Sequence, residues 1–574
     1  MYDLRRRLIG PNRALLTLLA LGIGLSACGA PQRSETASSA RQPTQAVRTL
    51  VAAIRVEPRF ITSKSLIQTG FSLEATTTLF NAGLAQVDDQ GNPRPYLAES
   101  LPHLNTDDWK FMPDGRMETT YRLRPNLTWH DGTPLTAEDF VLAARVYKSP
   151  ELGGGSTSPQ DRIDEILALD ARTVLIRWLS PYPKAGELEA TDFPPLPRHV
   201  LEPHLGLDAD AFTALPFWTT EHVGAGPFRI VRWEPGAFIE AEAFAGHALG
   251  RPKIDRLSVP FIVDENAALA GLLSSTVDVT LDEAIRLQQA TVVRREWEQN
   301  KGGTVLVIPG LWRFTQVQLN PERVNPRSLL DVRVRKALAH GIDKQAVNEG
   351  VYDGEAILSD SAIPPNVSYY AAVDRAVVKY PFDPARSEQL MAEAGFVKGP
   401  DGFFVGPDGR FVADSWVFQS AQNEAQGTVM ASIWRTVGFD IHEVVQPAAM
   451  TRDAQARSLF PALSSTGGLL GEEALATMGT RGTPRATNRW FGTNRGSWSN
   501  ADFDRLADAF QTTLDRNERI QQVVQLVRVF SEELPSIALN FNPQVTAFRS
   551  LLTGPKVVAP GVAITWNVHE WEMR

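Results

Sequence analysis

Short apolar runs alternate along this chain with longer segments in which apolar residues recur every three or four positions. The short runs are rich in β-branched and aromatic residues, which favours strands. They are Thr49–Val56, Met117–Leu123, Thr173–Trp178 and Pro227–Trp233. Strand and helix signals that alternate over this length predict α/β domains, in which helices cover the sheets.

The longer periodic segments begin and end at residues that commonly cap helices. Thr136 precedes a helix predicted to begin at Ala137, and Asp139 stands at the third helical position, as in a capping box. Asp383 before Pro384 predicts another helix start, with Gly395 placed where that helix ends. Asn500 and Asp515 predict two further helix starts, and Pro535 predicts a helix end.

The N-terminal segment has the features of a bacterial export signal. A basic stretch precedes an apolar run of 12 residues, Ala14–Leu25, which is shorter than the ~20 residues of a membrane span. Small residues then lead into Cys28, which resembles the bacterial lipobox. We therefore predict a signal peptide over 1–27, lipid attachment at Cys28 and a flexible tether over 28–47. A plain secretory signal and a twin-arginine signal at Arg5-Arg6 stay open as alternatives.

Composition excludes several classes of protein. The 574 residues carry 57 basic and 66 acidic side chains, a net charge of −9, which argues against broad electrostatic capture of nucleic acid. A mean hydropathy of −0.17 excludes a polytopic membrane protein. An apolar content of 43% excludes disorder over the whole chain. Cys28 is the only cysteine, so no internal disulfide is possible.

The common catalytic and cofactor motifs are missing from the sequence. It contains no G-x-S-x-G, H-E-x-x-H or P-loop pattern. His199 and His204 form the closest histidine pair, but they lie in a proline-rich segment where we expect no metal site. We predict no cofactor, no metal and no enzymatic activity. An extracytoplasmic hydrolase stays open, because only missing motifs bear on it.

One segment carries a specific resemblance. Residues Tyr121–Tyr147 read YRLRPNLTWHDGTPLTAEDFVLAARVY. This segment resembles the signature of the family 5 extracellular solute-binding proteins, the oligopeptide, dipeptide and nickel receptors of ABC importers. Weaker motifs follow in the family's order, so the resemblance covers about residues 50–574. They are Asn81–Leu97, Ala168–Pro181, Leu196–His199, Gly224–Phe228, Asp331–Lys344, Tyr380–Phe396, Ser499–Pro535 and Trp566–Trp571.

The resemblance implies a type II periplasmic-binding-protein fold with two lobes, a hinge and an inserted subdomain. Lobe one would be discontinuous, and the chain would cross the hinge near 310–320 and near 535–542. The implied bounds are 48–80, 216–312 and 533–574 for lobe one, 81–215 for the inserted subdomain and 313–532 for lobe two.

The resemblance also implies a function. The chain would be an extracytoplasmic lipoprotein, periplasmic or on the cell surface, that captures a peptide-like or other polar solute between its lobes. It would deliver this solute to ABC permease subunits, act as a monomer and contact the membrane through its lipid. An alternative is a surface lipoprotein that uses the same fold for sensing, adhesion or chaperoning.

The sequence departs from the peptide-binding members of the family in lobe two. Those members carry a tryptophan and an aspartate whose carboxylate pairs with the ligand's α-amino group, whereas Phe460–Gly471 has neither. Ser465 and Thr466 offer neutral hydrogen bonds instead. We therefore expect blocked or modified peptides, sugars or other polar solutes to bind better than peptides with a free ammonium group. Glu472 or Glu473 is the alternative source of an acid.

Further cleft residues follow from the same resemblance. Trp312 lies at the predicted crossing and is either a cleft wall or a core residue. Phe71 and Asn81 flank the first predicted strand–helix loop. The remaining candidates, which lie in a variable stretch that is either a ligand contact or a solvated loop, are Arg485, Asn488 and Trp490.

Overall fold

The computed structural model describes residues 47–67, 73–152, 158–488, 490 and 492–574, and residues 448 and 452 only in their backbone. The predicted signal peptide, the lipidation site Cys28, most of the tether and Phe71 lie outside these residues. Among the helices that are described, none combines the length and the apolar character needed to cross a membrane.

The described chain alternates strands and helices from end to end. The strands are β1 Thr49–Ala53, β2 Ala85–Val87, β3 Pro93–Pro95, β4 Trp109–Phe111, β5 Met117–Arg122, β6 Ile163–Asp170, β7 Thr173–Trp178, β8 Phe228–Glu234, β9 Phe238–Ala243, β10 Arg256–Pro260, β11 Val279–Thr280, β12 Gly303–Val317, β13 Ile357–Leu358, β14 Val397–Lys398, β15 Phe404–Gly406, β16 Gly409–Arg410, β17 Val412–Phe418, β18 Asp440–Gln446, β19 Leu463–Gly468, β20 Ser536–Arg549, β21 Leu552–Thr553 and β22 Glu572–Met573. The helices are α1 Glu74–Thr77, α2 Ala137–Tyr147, α3 Arg198–Leu201, α4 Ala209–Thr213, α5 Glu265–Leu273, α6 Leu287–Asn300, α7 Val332–His340, α8 Lys344–Tyr352, α9 Tyr370–Ala376, α10 Pro384–Glu393, α11 Ala421–Val437, α12 Glu472–Ala476, α13 Ala501–Phe510 and α14 Arg516–Glu533.

The strands and helix ends predicted from local sequence are confirmed. The four apolar runs form β1, β5, β7 and β8, and β1 is shorter than its run. Helix α2 begins at Ala137, and the Asp139 carboxylate accepts the Thr136 backbone N–H at 2.8 Å. Helices α10, α13 and α14 are each capped by the predicted side chain. Gly395 follows α10 with φ +89°, a conformation that glycine adopts without steric cost.

Eleven of the described strands form one sheet in the order β18-β17-β19-β12-β20-β11-β1-β10-β9-β8, with β13 beside β20. Strands β12 and β20 pair antiparallel along almost their whole length. Their register shifts between Pro309 and Trp312 and again between Arg313 and Phe314. These shifts bend the ribbon where it leaves one half of the sheet for the other.

The two halves of this sheet belong to different hydrophobic cores. Val545 and Ala547 of β20 pack with α5, α6 and β1 in the first lobe. Ile537 and Leu539 of the same strand pack with α7, α8 and α11 in the second lobe. A second core in each lobe completes the packing. Because one strand serves both cores, each lobe is fixed to the other through β12 and β20.

A third layer, which we call the inserted layer, lies between β1 and β8 in the chain. Its four-stranded sheet has the order β4-β5-β7-β6, and α2 packs against it. The signature residues build its junction with the first lobe: Trp129 donates its indole N–H to Asp139 at 3.3 Å, and His130 Nδ1 accepts the Gly224 N–H at 3.2 Å. The signature is therefore a structural element of this fold.

Candidate functional site

A short irregular segment of the inserted layer, Lys184–Phe193, has one apolar and one charged side. Ala185, Leu188 and Phe193 are fully buried in the core of the layer. The charged residues between them are only partly buried. The alternation of apolar and charged positions therefore gives the segment one side that packs and one side that is available for binding.

The apolar side of this segment is held firmly in place. The Tyr121 hydroxyl donates to the Ala185 carbonyl at 2.7 Å, and the Ala85 N–H donates to the Leu188 carbonyl at 2.9 Å. Gly83 passes so close that an added Cβ would lie 2.4 Å from the Ala190 nitrogen. Any larger residue at position 83 would push the segment away, so glycine is required there.

The charged side carries Lys184, Glu187, Glu189 and Asp192. The Asp192 carboxylate accepts the Glu189 backbone N–H at 3.1 Å, which fixes the local turn. The side chains of Lys184, Glu187 and Glu189 make no hydrogen bond or ion pair with any residue that the structure describes. Three charged groups are therefore held on one well-packed segment without a hydrogen-bonding or ion-pair partner in the described part of the chain.

The first lobe contributes a second group of charged side chains. Glu74 opens α1, and its side chain also has no hydrogen bond or ion pair within the described chain. Asp282 lies close to Glu74 and accepts hydrogen bonds from the Thr76 backbone N–H and hydroxyl. The Lys64 ammonium lies 6.0 Å from the Tyr147 ring centroid and forms no ion pair there.

Burial and neighbouring charges perturb the pKa values of several of these groups. Burial raises the pKa of Glu74 to about 7, and the charges of Asp282 and Asp192 add to the rise. Burial likewise raises the pKa of Glu189 to about 8, with further contributions from Asp192 and Glu74. Burial lowers the pKa of Lys64 to about 8, although Asp192 opposes the shift. The charge of Asp192 thus acts on Glu74, Glu189 and Lys64, whose pKa values are all shifted mainly by burial.

The second lobe carries charged side chains that already form ion pairs with one another. Glu472 accepts a hydrogen bond from Arg516 at 2.7 Å and another from the Tyr369 hydroxyl at 2.7 Å. Glu473 pairs with Arg519 at 3.0 Å. The field of Glu473 still reaches Lys184, where it helps the neighbouring acids to raise the pKa against the effect of burial. The charge of Glu473 in the second lobe therefore acts on Lys184 of the charged segment.

The lobes and the inserted layer contact each other directly. Arg162 of the inserted layer donates to the Gln511 side-chain carbonyl at 3.1 Å. Arg294 of α6 pairs with Glu355 of the second lobe at 3.2 Å. Leu287, also of α6, is buried in the core of the second lobe. These contacts join the inserted layer and the first lobe to the second lobe.

Residues predicted in the second lobe have partners inside it. Trp312 is 1% exposed, stacks on Phe314 with centroids 4.1 Å apart and donates to the Ser359 hydroxyl at 3.0 Å. Ser465 lies in β19, and its hydroxyl is 2.8 Å from that of Thr315. Thr466, the next residue, is also buried. These three residues lie in or beside the strands that connect the lobes.

The other predicted residues are dispersed. The Asn81 amide is buried and donates to the carbonyls of Ile61 and Thr77 at 2.7 and 2.8 Å. Arg485, Asn488 and Trp490 form a local turn: the Arg485 N–H donates to the Asn488 side chain at 2.8 Å, and the Trp490 N–H donates to the Arg485 carbonyl at 2.8 Å. The structure does not bring these residues to the charged segment.

Sequence reasoning missed Glu74, Lys184, Glu187, Glu189 and Asp192. The recurrence of charged residues between apolar or small ones in the stretch KAGELEATDF was the available signal. A solvated surface loop has the same pattern, and the sequence alone does not reveal that other walls cover it. Within the described residues, no group of three or more histidine, cysteine or acidic side chains is arranged to hold a metal ion.

Comparison with known proteins gives one matching family model. The model for bacterial extracellular solute-binding proteins, family 5 middle region, matches residues 92–470. The oligopeptide-binding protein AppA of Bacillus subtilis is 25% identical over 388 residues, which cover 67% of this chain and 66% of AppA. The dipeptide-binding protein of Escherichia coli is 24% identical over 481 residues, which cover 77% of this chain and 81% of that protein.

Coverage of the relatives varies. A putative ABC transporter peptide-binding protein of Brucella ovis is 25% identical over 303 residues, and the match spans 51% of its length. The chain thus spans between about half and two thirds of the length of the first relatives that it matches.

Solved structures share the fold. NikZ from Campylobacter jejuni, in complex with Ni(L-His), has a TM-score of 0.73 at 22% identity, with 91% of this chain and 99% of NikZ covered. The oligopeptide-binding protein from Thermus thermophilus, complexed with a pentapeptide, has a TM-score of 0.72 at 22% identity, with 92% and 96% covered. The predicted type II periplasmic-binding-protein fold, with two lobes and a hinge, is confirmed.

Proposed function

Because this chain belongs to the bacterial extracellular solute-binding proteins of family 5, we propose that it captures a peptide-like or other polar solute between its lobes and delivers it to an ABC transporter permease. The observation that carries this proposal is a group of partly buried charged side chains, Glu74, Lys184, Glu187 and Glu189, that make no hydrogen bond or ion pair with any described residue. Buried charges without partners are costly in a fold that has no use for them. A bound solute supplies the missing partners.

The mechanism that we propose is closure of two lobes around the solute. Closure is favoured only by as much as the solute binds the closed form more tightly than the open form. The antiparallel ribbon of β12 and β20 joins the lobes, and its register shifts near Pro309 and Trp312 mark where the dihedral changes of a hinge can be absorbed. Contacts such as Arg294–Glu355 then hold the closed form.

The lobe bounds in this proposal follow the resemblance. Lobe one comprises 48–80, 216–312 and 533–574, the inserted subdomain 81–215 and lobe two 313–532. Hydrophobic clusters that lie mainly within these ranges support the division. The packing of β20 in both lobe cores supports a second crossing within 536–549.

We further propose that a lipid on Cys28 anchors the protein outside the cytoplasmic membrane, where it works as a monomer on a flexible tether. The apolar run that ends before the only cysteine supports the anchor. The relatives are named as binding proteins, and we propose that this chain binds without catalysing a reaction. In this proposal Trp312, Ser465 and Thr466 belong to the strands that connect the lobes. Asn81, Arg485, Asn488 and Trp490 remain candidate contacts to the solute.

Capture and delivery are tested separately. Small molecules that co-purify with the full chain from its native membranes are released by denaturation and identified by mass spectrometry, and their affinity is then measured by calorimetry. Uptake of the identified solute is compared in cells with and without the protein. A chain that never retains a solute contradicts capture. Binding without any effect on uptake contradicts delivery to a permease.

A further inference from the structure

A pocket of about 520 Å³ lies within the first lobe. Its lining comes from the loop before β10 and from the segments that flank β21 and β22. The loop stands at the N-terminal ends of the parallel strands β1 and β10, where the Arg48 N–H donates to the Asp255 carboxylate at 3.1 Å. Ligands of open α/β sheets bind outside the opposite, carboxyl ends of such strands, so this pocket is separate from the solute cleft.

Three basic side chains line this pocket. The Lys253 ammonium pairs with Glu572. The Lys556 ammonium is 4.0 Å from the Asp89 carboxylate, which is too long for a hydrogen bond. Arg251, the third, has five N–H donors and uses two of them within the described chain. The pocket therefore offers cationic donors to an anion.

A histidine stands among these basic groups. The partly buried ring of His569 packs on the ring of His247, with centroids 5.2 Å apart. His247 is itself held at 2.8 Å by the Tyr96 hydroxyl and at 2.8 Å by the Gly250 carbonyl. The His569 imidazole makes no hydrogen bond or ion pair with any residue that the structure describes. Its ring is thus fixed by packing, and its nitrogens are available to a ligand.

A buried donor beside the pocket also lacks a partner. The indole N–H of Trp566 is withdrawn from water and has no hydrogen-bond partner among the described residues. The Lys556 ammonium lies 5.9 Å from the centroid of the same indole. Buried polar atoms are satisfied in nearly all native structures, so this donor indicates an acceptor that the described chain does not supply.

One carboxylate of the pocket has no cationic partner in the described chain. Glu570 is exposed, and its side chain accepts only the Asn567 amide, at 3.4 Å. Glu572, the other acid of the lining, is already paired with Lys253. Donors for an anion and a free carboxylate for a cation therefore lie in one pocket, which suits a ligand that carries both charges.

We propose that this pocket binds a phosphate next to an ammonium group, the chemistry of an ethanolamine phospholipid headgroup. Arg251, Lys556 and His569 hold the phosphate, and Glu570 holds the ammonium. The volume lies within the range of about 300–1,000 Å³ that small-molecule sites occupy. This inference goes beyond solute capture and does not depend on it.

The place where the chain enters the described body favours a membrane lipid as the source. Val47 is the first described residue, and the next residue, Arg48, shares the Asp255 carboxylate with Arg251 of the pocket. Nineteen positions separate Val47 from Cys28, and a flexible tether of that length spans roughly 24 Å. The lipid anchor that we propose at Cys28 would therefore keep this pocket close to phospholipid headgroups.

The first test uses the full chain in a phosphate-free detergent and glycerophosphoethanolamine, the soluble headgroup, as the probe. Calorimetry compares the wild type with Lys556→Gln, Arg251→Gln and Lys379→Gln. Lys379 is the matched control, because it lies in the second lobe and is 49% exposed against 53% for Lys556. Affinity should fall about tenfold or more in both pocket variants and stay unchanged in the control. No binding by the wild type, or equal affinity in all four proteins, overturns the inference.

The second test separates a membrane lipid from a free phosphate ester. The full chain is reconstituted in vesicles of digalactosyl diacylglycerol, which has no phosphate, with or without added phosphatidylethanolamine. Acetylation of Lys556 by excess reagent is read by mass spectrometry, with Lys379 as the internal reference. Protection of Lys556 only in the phospholipid vesicles supports the membrane source. Equal acetylation in both overturns that source and assigns the pocket to a free ester. Uptake of the solute is measured separately, so neither result bears on solute capture.

Discussion

Removal of one cleft carboxylate should stabilise this protein at alkaline pH, which is unusual for a substitution at a buried site. Glu189 faces Asp192, Glu74 and Glu187, with Lys184 as the neighbouring cation. Burial first, and then the like charges, raise the pKa of Glu189 from the ordinary 4.5 to about 8. In Glu189→Gln the neutral amide has nearly the same shape and carries no charge at any pH.

The sign follows from proton linkage. Below about pH 4.5 the carboxyl is protonated in both the folded and the unfolded chain, so the substitution changes little. Between pH 4.5 and about 8 the unfolded chain has released the proton that the folded chain retains, so the free energy of unfolding of the wild type falls as pH rises. A difference of about 3.5 pH units sets an upper limit of about 5 kcal/mol. Screening by water in the cleft leaves an expected gain on the order of 2 kcal/mol.

The assay is urea unfolding of the ligand-free chain, followed by the fluorescence of its 13 tryptophans. Unfolding midpoints of wild type, Glu189→Gln and the exposed control Glu322→Gln are compared near pH 5 and near pH 8.5. Glu189→Gln should have a higher midpoint than the wild type at the alkaline pH and nearly the same midpoint at the acidic pH. Equal destabilisation at both pH values would refute the reasoning, because it would mean that Glu189 has a structural partner.

Three further changes are informative. Cys28→Ala should release the protein from membranes without unfolding it, and a variant that still partitions into detergent like the wild type would contradict the lipid anchor. Gly83→Ala should cost about 1–3 kcal/mol of stability and weaken solute binding, because the new Cβ would lie 2.4 Å from the Ala190 nitrogen. An unchanged unfolding midpoint would contradict this, because it would show that the segment around Ala190 can move. Solute binding near pH 7 should change the protonation of Glu74 and Glu189, whose pKa values are about 7 and about 8; calorimetric enthalpies that do not depend on the ionisation enthalpy of the buffer would contradict this.

Local order along the chain could be predicted from the sequence. Thr136, Asp383, Asn500 and Asp515 cap helices where their side-chain chemistry indicates, because a cap depends on the three or four residues that follow it. The strands β5, β7 and β8 likewise follow the local apolar pattern. The order of motifs along the chain was enough to identify the family and the two-lobed fold.

The candidate site could not be predicted from the local pattern, because its residues come from three distant parts of the chain. Glu74 and Glu189 are 115 positions apart in the sequence, yet the charge of Glu74 adds to the rise in the pKa of Glu189. Nothing in the local pattern around either residue distinguishes it from a solvated surface acid. Only the fold shows which of these acids lack partners.

Trp312 and Ser465 illustrate the converse. Their sequence position near the crossing strands suggested a cleft wall, and the antiparallel pairing of β12 with β19 and β20 places both in the sheet. Sequence by itself determined the local elements and the family, since these depend on short-range pattern and on the order of motifs. Tertiary structure decided which charges of the described chain are withdrawn from water without a hydrogen-bonding partner, since burial and long-range electrostatics depend on every segment that packs around a site.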